Sequence, residues 1–259
     1  MAKERTIEKQ IAIKTDAGAV WKALTDAEEL KRWFPLDARV TPGKGGEIMV
    51  TWGEGGDWVA EIAVWEPNRH LRTLDPAREG TAVRMAVDYY IESSRGETVL
   101  RLVHSGFGTD TREDELDSLE GGWAAFLGNL KHYLEHHRGE PRELAFFRHP
   151  AVEMQRHEAF VRTLHVLGFE AEKLLNAGDR YDVTTEAGDL FQGEIRVLRA
   201  PIVLAGTAEN WSNGWLMVEI ESGRGKCRPA VWVSLYGEAR RHAPALTARL
   251  RGLLQGAFA

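Results

Sequence analysis

The chain has 259 residues, 43% of them hydrophobic and 28% charged, and its length lies near the roughly 250–300 residues at which one core divides into two. Two domains are therefore expected. No run approaches the ~18 apolar residues that a membrane-spanning helix needs, and a net charge of −6 argues against nucleic acid as a partner.

The N-terminal stretch Met1-Ala2-Lys3-Glu4-Arg5 is charged with no apolar stretch behind it, so no signal peptide is expected and the cytoplasm is the expected compartment. Ile7, Ile11 and Ile13 alternate with polar residues and predict a first strand, Thr6 to Lys14. Thr15-Asp16 offers a helix N-cap, and Val20, Trp21 and Leu24 supply an apolar stripe. Thr25-Asp26-Ala27-Glu28 reads as a capping box in which the Thr25 hydroxyl bonds the backbone N–H of Glu28. The short helix that follows ends at Trp33-Phe34-Pro35, since the residue before proline avoids the helical region.

Pro42-Gly43-Lys44-Gly45-Gly46 is a turn cluster that opens a meander. Strands are expected near Glu47–Trp52, Asp57–Trp65, Arg69–Leu74, Val83–Glu92 and Glu97–His104, with hairpin loops at Gly53–Gly56 and Ser93–Gly96. Met85, Val87, Tyr89 and Ile91 share one face of their strand, and Leu100, Leu102 and His104 share one face of the next. One-sided strands need a cover. It is expected from a helix beyond Gly106-Phe107-Gly108, whose approach carries six acidic residues between Asp110 and Glu120. Its apolar positions Trp123, Phe126, Leu127, Leu130, Tyr133 and Leu134 recur in steps of three and four. The Gly121-Gly122 pair before them predicts a close backbone approach or a bend.

Residues 138–150 carry two prolines and no clear period, and read as a linker partly buried through Phe146 and Phe147. A helix, Val152–Leu167, follows. Then the pattern of the first half recurs: Gly45-Gly46-Glu47, a strand, Gly55-Gly56-Asp57 and Glu61-Ile62-Ala63-Val64 are echoed by Gly178-Asp179, a strand, Gly188-Asp189 and Glu194-Ile195-Arg196-Val197. Strands at Gly214–Glu221 and Ala230–Leu235 and a terminal helix, Ala245–Leu254, complete the echo. No counterpart of the first strand is evident, so the linker, the other domain or a partner chain would have to supply it.

The order strand, two helices, meander and long helix resembles the SRPBCC (START-like) superfamily. The carrying residues are Val20-Trp21-Lys22-Ala23-Leu24-Thr25-Asp26, Leu30-Lys31-Arg32-Trp33-Phe34, Pro42-Gly43, Leu102-Val103-His104-Ser105-Gly106-Phe107 and Gly122-Trp123-Ala124-Ala125-Phe126-Leu127. Within that superfamily they resemble the branch named after the activator of the heat-shock-protein-90 ATPase. The resemblance implies an α+β helix-grip fold, a curved antiparallel sheet around a long C-terminal helix, here a degenerate tandem pair. The expected domains are a ligand-binding grip over 1–137, a linker over 138–150 and a second, degenerate grip over 151–259.

Activity follows less directly, because one fold hosts many functions. Six of the nine tryptophans fall within the first 123 residues, which suggests an aromatic-lined interior. The expected ligand-lining residues are Trp52, Trp58, Met85, Val87, Tyr89, Leu102, His104, Trp123, Phe126, Leu127 and Leu130, around a small hydrophobic or aromatic ligand. His104 at the cavity mouth can act as a general base or a hydrogen-bonding group, or simply tie the strand end to the turn. If chemistry occurs, His104, Tyr89 and Glu61 are its candidates, for a cyclase, dehydratase or hydrolase of aromatic or polyketide-like substrates.

His132 and His136 have the i, i+4 spacing of metal ligands but no third ligand in the pattern, and read as a solvated helix end. No metal is expected. The lone Cys227 excludes an internal disulfide and sits among basic residues that could activate it, although an incidental thiol is the plainer reading. There is no Gly-x-Ser-x-Gly elbow, phosphate loop or dinucleotide fingerprint, so no cofactor is expected. The leading expectation is non-catalytic binding of a small ligand, with a cyclase-type enzyme and a co-chaperone-like interaction module as rivals.

Overall fold

The structure, a computed structural model, describes residues 5–53, 56–76, 83–94, 96–108, 111–170 and 175–259. Readings that touch Met1–Glu4, Asp110, or the interior of the expected loops Gly53–Gly56 and Ser93–Gly96 lie outside the described residues. Contacts divide the chain into two units, Met1–Thr111 with Asn129–Gly139, and Arg112–Gly128 with Glu140–Ala259.

In the first unit, β1 (Arg5–Ile13) leads to α1 (Ala17–Thr25) and α2 (Ala27–Lys31). The meander follows as β2 (Asp37–Thr41), β3 (Glu47–Thr51), β4 (Asp57–Glu66), β5 (His70–Leu74), β6 (Ala86–Ser94) and β7 (Glu97–Phe107). These strands form one antiparallel sheet in the order β1-β7-β6-β5-β4-β3-β2. The first strand thus closes on the last, and the residues from Asn129 onward in α3 (Glu113–His136) belong with this unit.

The corner between α1 and α2 differs from the capping box read in the sequence. Asp26, not Thr25, caps α2, accepting from the Glu29 backbone N–H at 3.0 Å. Thr25 is still in the last turn of α1, where its hydroxyl donates to the Trp21 carbonyl at 2.7 Å. A hydroxyl engaged four residues back is not free to start the next helix, so the neighbouring carboxylate does so. Strand β2 has no counterpart in the sequence reading: five residues at a sheet edge give too short an alternation to register.

The inner face of this sheet can be followed across the ladder. Ile62, Thr73, Val87, His104 and Ile7 are successive cross-strand partners, and Leu71, Tyr89 and Leu102 form the next row. Helix α1 packs on β6 and β7, and Trp21 meets Trp65 edge-on at 5.0 Å. Trp33 is fully buried, its Nε1 donating to the Ala23 carbonyl at 2.9 Å. From α3, the Asn129 amide donates to the Trp33 carbonyl and the Tyr133 hydroxyl to Glu29.

The second unit repeats the plan. Its strands β8 (Glu143–Arg148), β9 (Arg180–Thr184), β10 (Leu190–Arg199), β11 (Val203–Ala208), β12 (Gly214–Gly223) and β13 (Lys226–Leu235) form a sheet in the order β8-β13-β12-β11-β10-β9. Helix α4 (Arg156–Val166) lies between β8 and β9 in the chain, and α5 (Ala243–Ala257) ends it. The missing first strand is β8, within the segment read as a linker: it pairs with β13 as β1 pairs with β7. Strand β11 is hidden in the sequence because Ala205, Gly206 and Ala208 carry little strand propensity.

The duplication extends to local irregularities. A bulge between Ile62 and Val64 in β4 recurs between Ile195 and Val197 in β10. The Gly45 N–H donates to the Ile62 carbonyl at 2.8 Å, and the Gly178 N–H to the Ile195 carbonyl at 2.7 Å. Bulges re-aim a strand and are costly to place by chance, so this matching pair makes the echo in the sequence a structural repeat. The fold is α+β, a helix grip in tandem.

Each face of the second sheet is covered differently. On one, Leu204, Leu216, Val218, Val231 and Val233 pack with Phe160 and Leu164 of α4 and Leu246 and Leu250 of α5 into a single apolar cluster. On the other lies the N-terminal part of α3. A Cβ on Gly121 would come within 2.5 Å of Ile202 Cγ2, one on Gly122 within 3.1 Å of Glu219 Oε1, and one on Gly128 within 3.0 Å of Trp215. The glycine pair marks a close approach, as its sequence suggested, but the surface approached is the second sheet.

Candidate functional site

The inner face of the first sheet is apolar except at a few positions. Val87 and Leu102 are buried to 2% exposure or less, and between them stand Tyr89 at 8% and His104 at 5%. Tyr89 pairs across the ladder with Leu102, and His104 with Val87, so the two polar side chains occupy diagonal positions on adjacent strands. In an antiparallel pair such diagonal neighbours lie about 7–8 Å apart at the backbone, within reach of long side chains. The His104 ring lies against Phe107, with centroids 4.6 Å apart.

Electrostatics sets the state of both groups. Burial pushes the His104 imidazole down to about 4, so it is neutral at pH 7. Burial, reinforced by the negative charge of Asp75, holds the Tyr89 phenol above its ordinary range. Both groups are therefore uncharged hydrogen-bonding groups on an apolar surface. Asp75 itself accepts from Trp58 Nε1 at 3.0 Å, which fixes that indole at the start of β4.

The other expected lining residues separate. Trp58 continues the inner face through its partner Val50, and Trp52 follows β3 with its ring edge-on to Phe34 at 5.3 Å. Met85 directly precedes β6, where its carbonyl accepts from the Asp75 N–H at 2.9 Å. Leu130 is fully buried in the part of α3 that belongs to the first unit. Trp123, Phe126 and Leu127 instead group with the second unit, where Phe126 meets Trp232 edge-on at 5.8 Å. Helical periodicity shows which α3 residues share a face, but not which sheet each turn meets.

Glu61 does not join Tyr89 and His104. Its neighbours Ala60 and Ile62 point inward, while Glu61 is half-exposed on the opposite face, ion-paired to Arg84 at 2.6 Å. Cys227 is likewise not in a basic loop. It lies in β13, 1% exposed, with Sγ donating to the Met154 carbonyl at 3.3 Å, and burial raises its thiol pKa. That placement removes the activation its basic neighbours suggested. His132 and His137 are buried at the end of α3, their rings 5.4 Å apart. Among the described residues no group of three or more His, Cys, Asp or Glu side chains is placed to hold a metal ion.

One polar constellation escapes the sequence reading. On the outer face of the first sheet, His70 Nε2 lies 2.7 Å from the Oδ1 of buried Asp88, and Arg72 lies 3.8 Å from Oδ2. The His70 ring stacks on Tyr90 at 4.3 Å, and the Arg101 guanidinium lies 4.2 Å from the Tyr90 centroid. These residues come together across strands β5, β6 and β7, and only the strand register reveals them. The stack confines His70, so the arrangement fixes the carboxylate and stiffens the sheet.

Two helix grips in one chain define a tandem helix-grip protein. Residues 14–135, a little under half of the chain, match the family described as Activator of Hsp90 ATPase homolog 1-like protein. No curated protein matches the chain. Among solved structures, the Aha1 dimer from Colwellia psychrerythraea is similar at 25% identity, covering 52% of this chain and 99% of its own, with a TM-score of 0.47. The di-domain ARO/CYC protein BexL is similar at 14% identity over 98% of both chains, with a TM-score of 0.46. DynU16, from the dynemicin biosynthetic locus, is similar at 19% identity over 97% of this chain and 98% of its own, with a TM-score of 0.44. Among the described residues no helix is long and apolar enough to cross a membrane.

Proposed function

We propose that the first domain binds a small hydrophobic or aromatic molecule over the inner face of its sheet, oriented by hydrogen bonds to Tyr89 and His104. The observation that carries this reading is the contrast between the two grips. At the ladder positions of Tyr89 and His104, the second sheet has Val218 and Val233, and where the first has Thr73 the second has Gly206. A sheet of this plan folds with only apolar side chains at those positions. Burying a phenol and an imidazole there costs desolvation that packing does not require, and recognition of a polar group on an otherwise apolar ligand accounts for it.

Binding fits the electrostatics better than proton transfer does. A general base works best with a pKa near the operating pH, and an imidazole pushed down to about 4 is a feeble base at neutrality. As a neutral donor or acceptor it is well suited to a ligand hydroxyl or carbonyl. Titration of the protein with a hydroxylated anthraquinone, followed by fluorescence and native mass spectrometry, tests the proposal. Saturable binding that weakens about three- to tenfold in Tyr89→Phe or His104→Val is expected, the worth of one net hydrogen bond. A wild-type protein that binds neither this probe nor an anilinonaphthalene sulfonate overturns it.

A further inference from the structure

We propose that Glu219 is a protonation-controlled latch that holds Arg112–Gly128 of α3 against the second sheet. Glu219 lies on β12, 4% exposed, with its carboxyl beneath the α3 backbone: Oε1 is 3.1 Å from where a Gly122 Cβ would be. Its Oε2 is buried and finds no hydrogen-bond donor among the described residues. Most buried carboxyls are paired or multiply hydrogen-bonded. This one is roofed by a glycine that leaves room for the carboxyl and offers it no side chain.

The neighbours of Glu219 offer little to a carboxylate. On the adjoining strands its partners are Val203 and Ala230, and beyond them the Trp232 indole, whose buried Nε1 has no other partner among the described residues, is the one donor facing the carboxyl. On its own strand the charged neighbour is Glu221, which repels a second negative charge. The nearest cation, Arg148 of β8, is engaged by Glu221 at 3.0 Å and lies over the Trp232 ring. From α3 the side facing Glu219 presents Gly122 and Phe126. Of the acids in the first turns of that helix, Asp114 is paired with Arg112 at 3.0 Å, Asp117 and Glu120 with Arg199 at 3.1 and 2.5 Å, and Asp117 also with Arg156 of α4 at 3.9 Å, while Glu115 lies beside Gly223. Burial and Glu221 outweigh the opposing pull of Arg148 and the Trp232 indole and push the Glu219 carboxyl up to about 8. The docked helix therefore covers a neutral acid at pH 7.

Ionisation would leave a negative charge under the helix with the Trp232 indole as its neighbouring donor, and hydration of that charge requires the helix to lift. The rest of the attachment is Ser118 Oγ accepting from the Ser222 N–H at 3.1 Å and the Arg199 ion pairs. Ionisation of Glu219 at alkaline pH therefore loosens this segment.

Hydrogen exchange of the full-length protein tests the latch. Protection of peptides spanning 112–128, corrected for intrinsic rates, is expected to fall by up to about tenfold per pH unit above the carboxyl's midpoint, while β12 and β13 hold. In Glu219→Gln, which copies the shape of the neutral acid, protection should stay flat over the same range. Equal loss in both proteins, or none in the wild type, overturns the proposal. Should the variant fail to fold, infrared titration of the wild type decides: a protonated-carboxyl band at pH 7 that vanishes as helix protection falls supports the latch, and no such band at pH 7 overturns it.

Discussion

His104 sits on an apolar face with its imidazole pushed down to about 4 by burial, against 6.5 in an unfolded chain, and this has a consequence for stability. Below pH 6.5 the unfolded state takes up the proton first, so stability is full above that value and is lost as pH falls through 4. The shift spans about 2.5 units and corresponds to about 3 kcal/mol across the window. His104→Val, which installs the residue of the second grip, should therefore lose less stability than wild type between pH 7 and pH 4 in urea unfolding. Parallel losses would show that the imidazole is not desolvated in the native state. Glu219 behaves with the opposite sign. Its raised pKa means that stability is full below about 4.5 and declines as pH rises through about 8. Glu219→Gln should accordingly be more stable than wild type at pH 8, by a few kcal/mol at most, as measured by denaturant midpoint.

At the scale of elements, the glycines of two helices separate propensity from packing. A Cβ added at Gly252, exposed in α5, would have nothing within 4 Å, whereas one at Gly121 in α3 would meet Ile202 at 2.5 Å. Replacing an exposed helical glycine by alanine stabilises by about 1 kcal/mol. Gly252→Ala should raise the melting temperature by a few degrees, while Gly121→Ala should lower it, because the same gain is outweighed by overpacking of about 1–3 kcal/mol. A stabilising Gly121→Ala would mean that the α3–Ile202 approach is loose. The glycine pair was legible in the sequence as a close contact, but its partner was not, since periodicity carries no information about distant strands. The same limit explains the other departures. Strands with sustained alternation, such as the one expected over Glu97–His104 and found over Glu97–Phe107, were evident; β2 and β11 were too short or too small-sided to register; and β8 was hidden by the prolines that flank it. Tyr89 and His104 were legible as a shared face because alternation along each strand is local. The His70–Asp88 pair was not, because it exists only through the register of β5 on β6.

For the whole molecule, the repeat acts as an internal control on function. The two sheets share strand order and a bulge at the same point of the ladder, so their differences are informative. The second inner face is closed by α4 and α5 over Leu216, Val218, Val231 and Val233, each 1% exposed or less. The first has a phenol and an imidazole at the positions of Val218 and Val233. If the first grip alone is a binding site, an anthraquinone probe should saturate at one molecule per chain in native mass spectrometry, not two. Core substitution then separates the grips. Val218→Ala removes buried methyl groups and should destabilise the protein by about 1–3 kcal/mol, yet leave the stoichiometry and affinity for the probe unchanged. Tyr89→Phe should do the reverse, weakening the probe while shifting the denaturant midpoint little. Two probe molecules per chain, with one lost in Val218→Ala, would assign a ligand to the second grip and remove the contrast on which the functional reading stands.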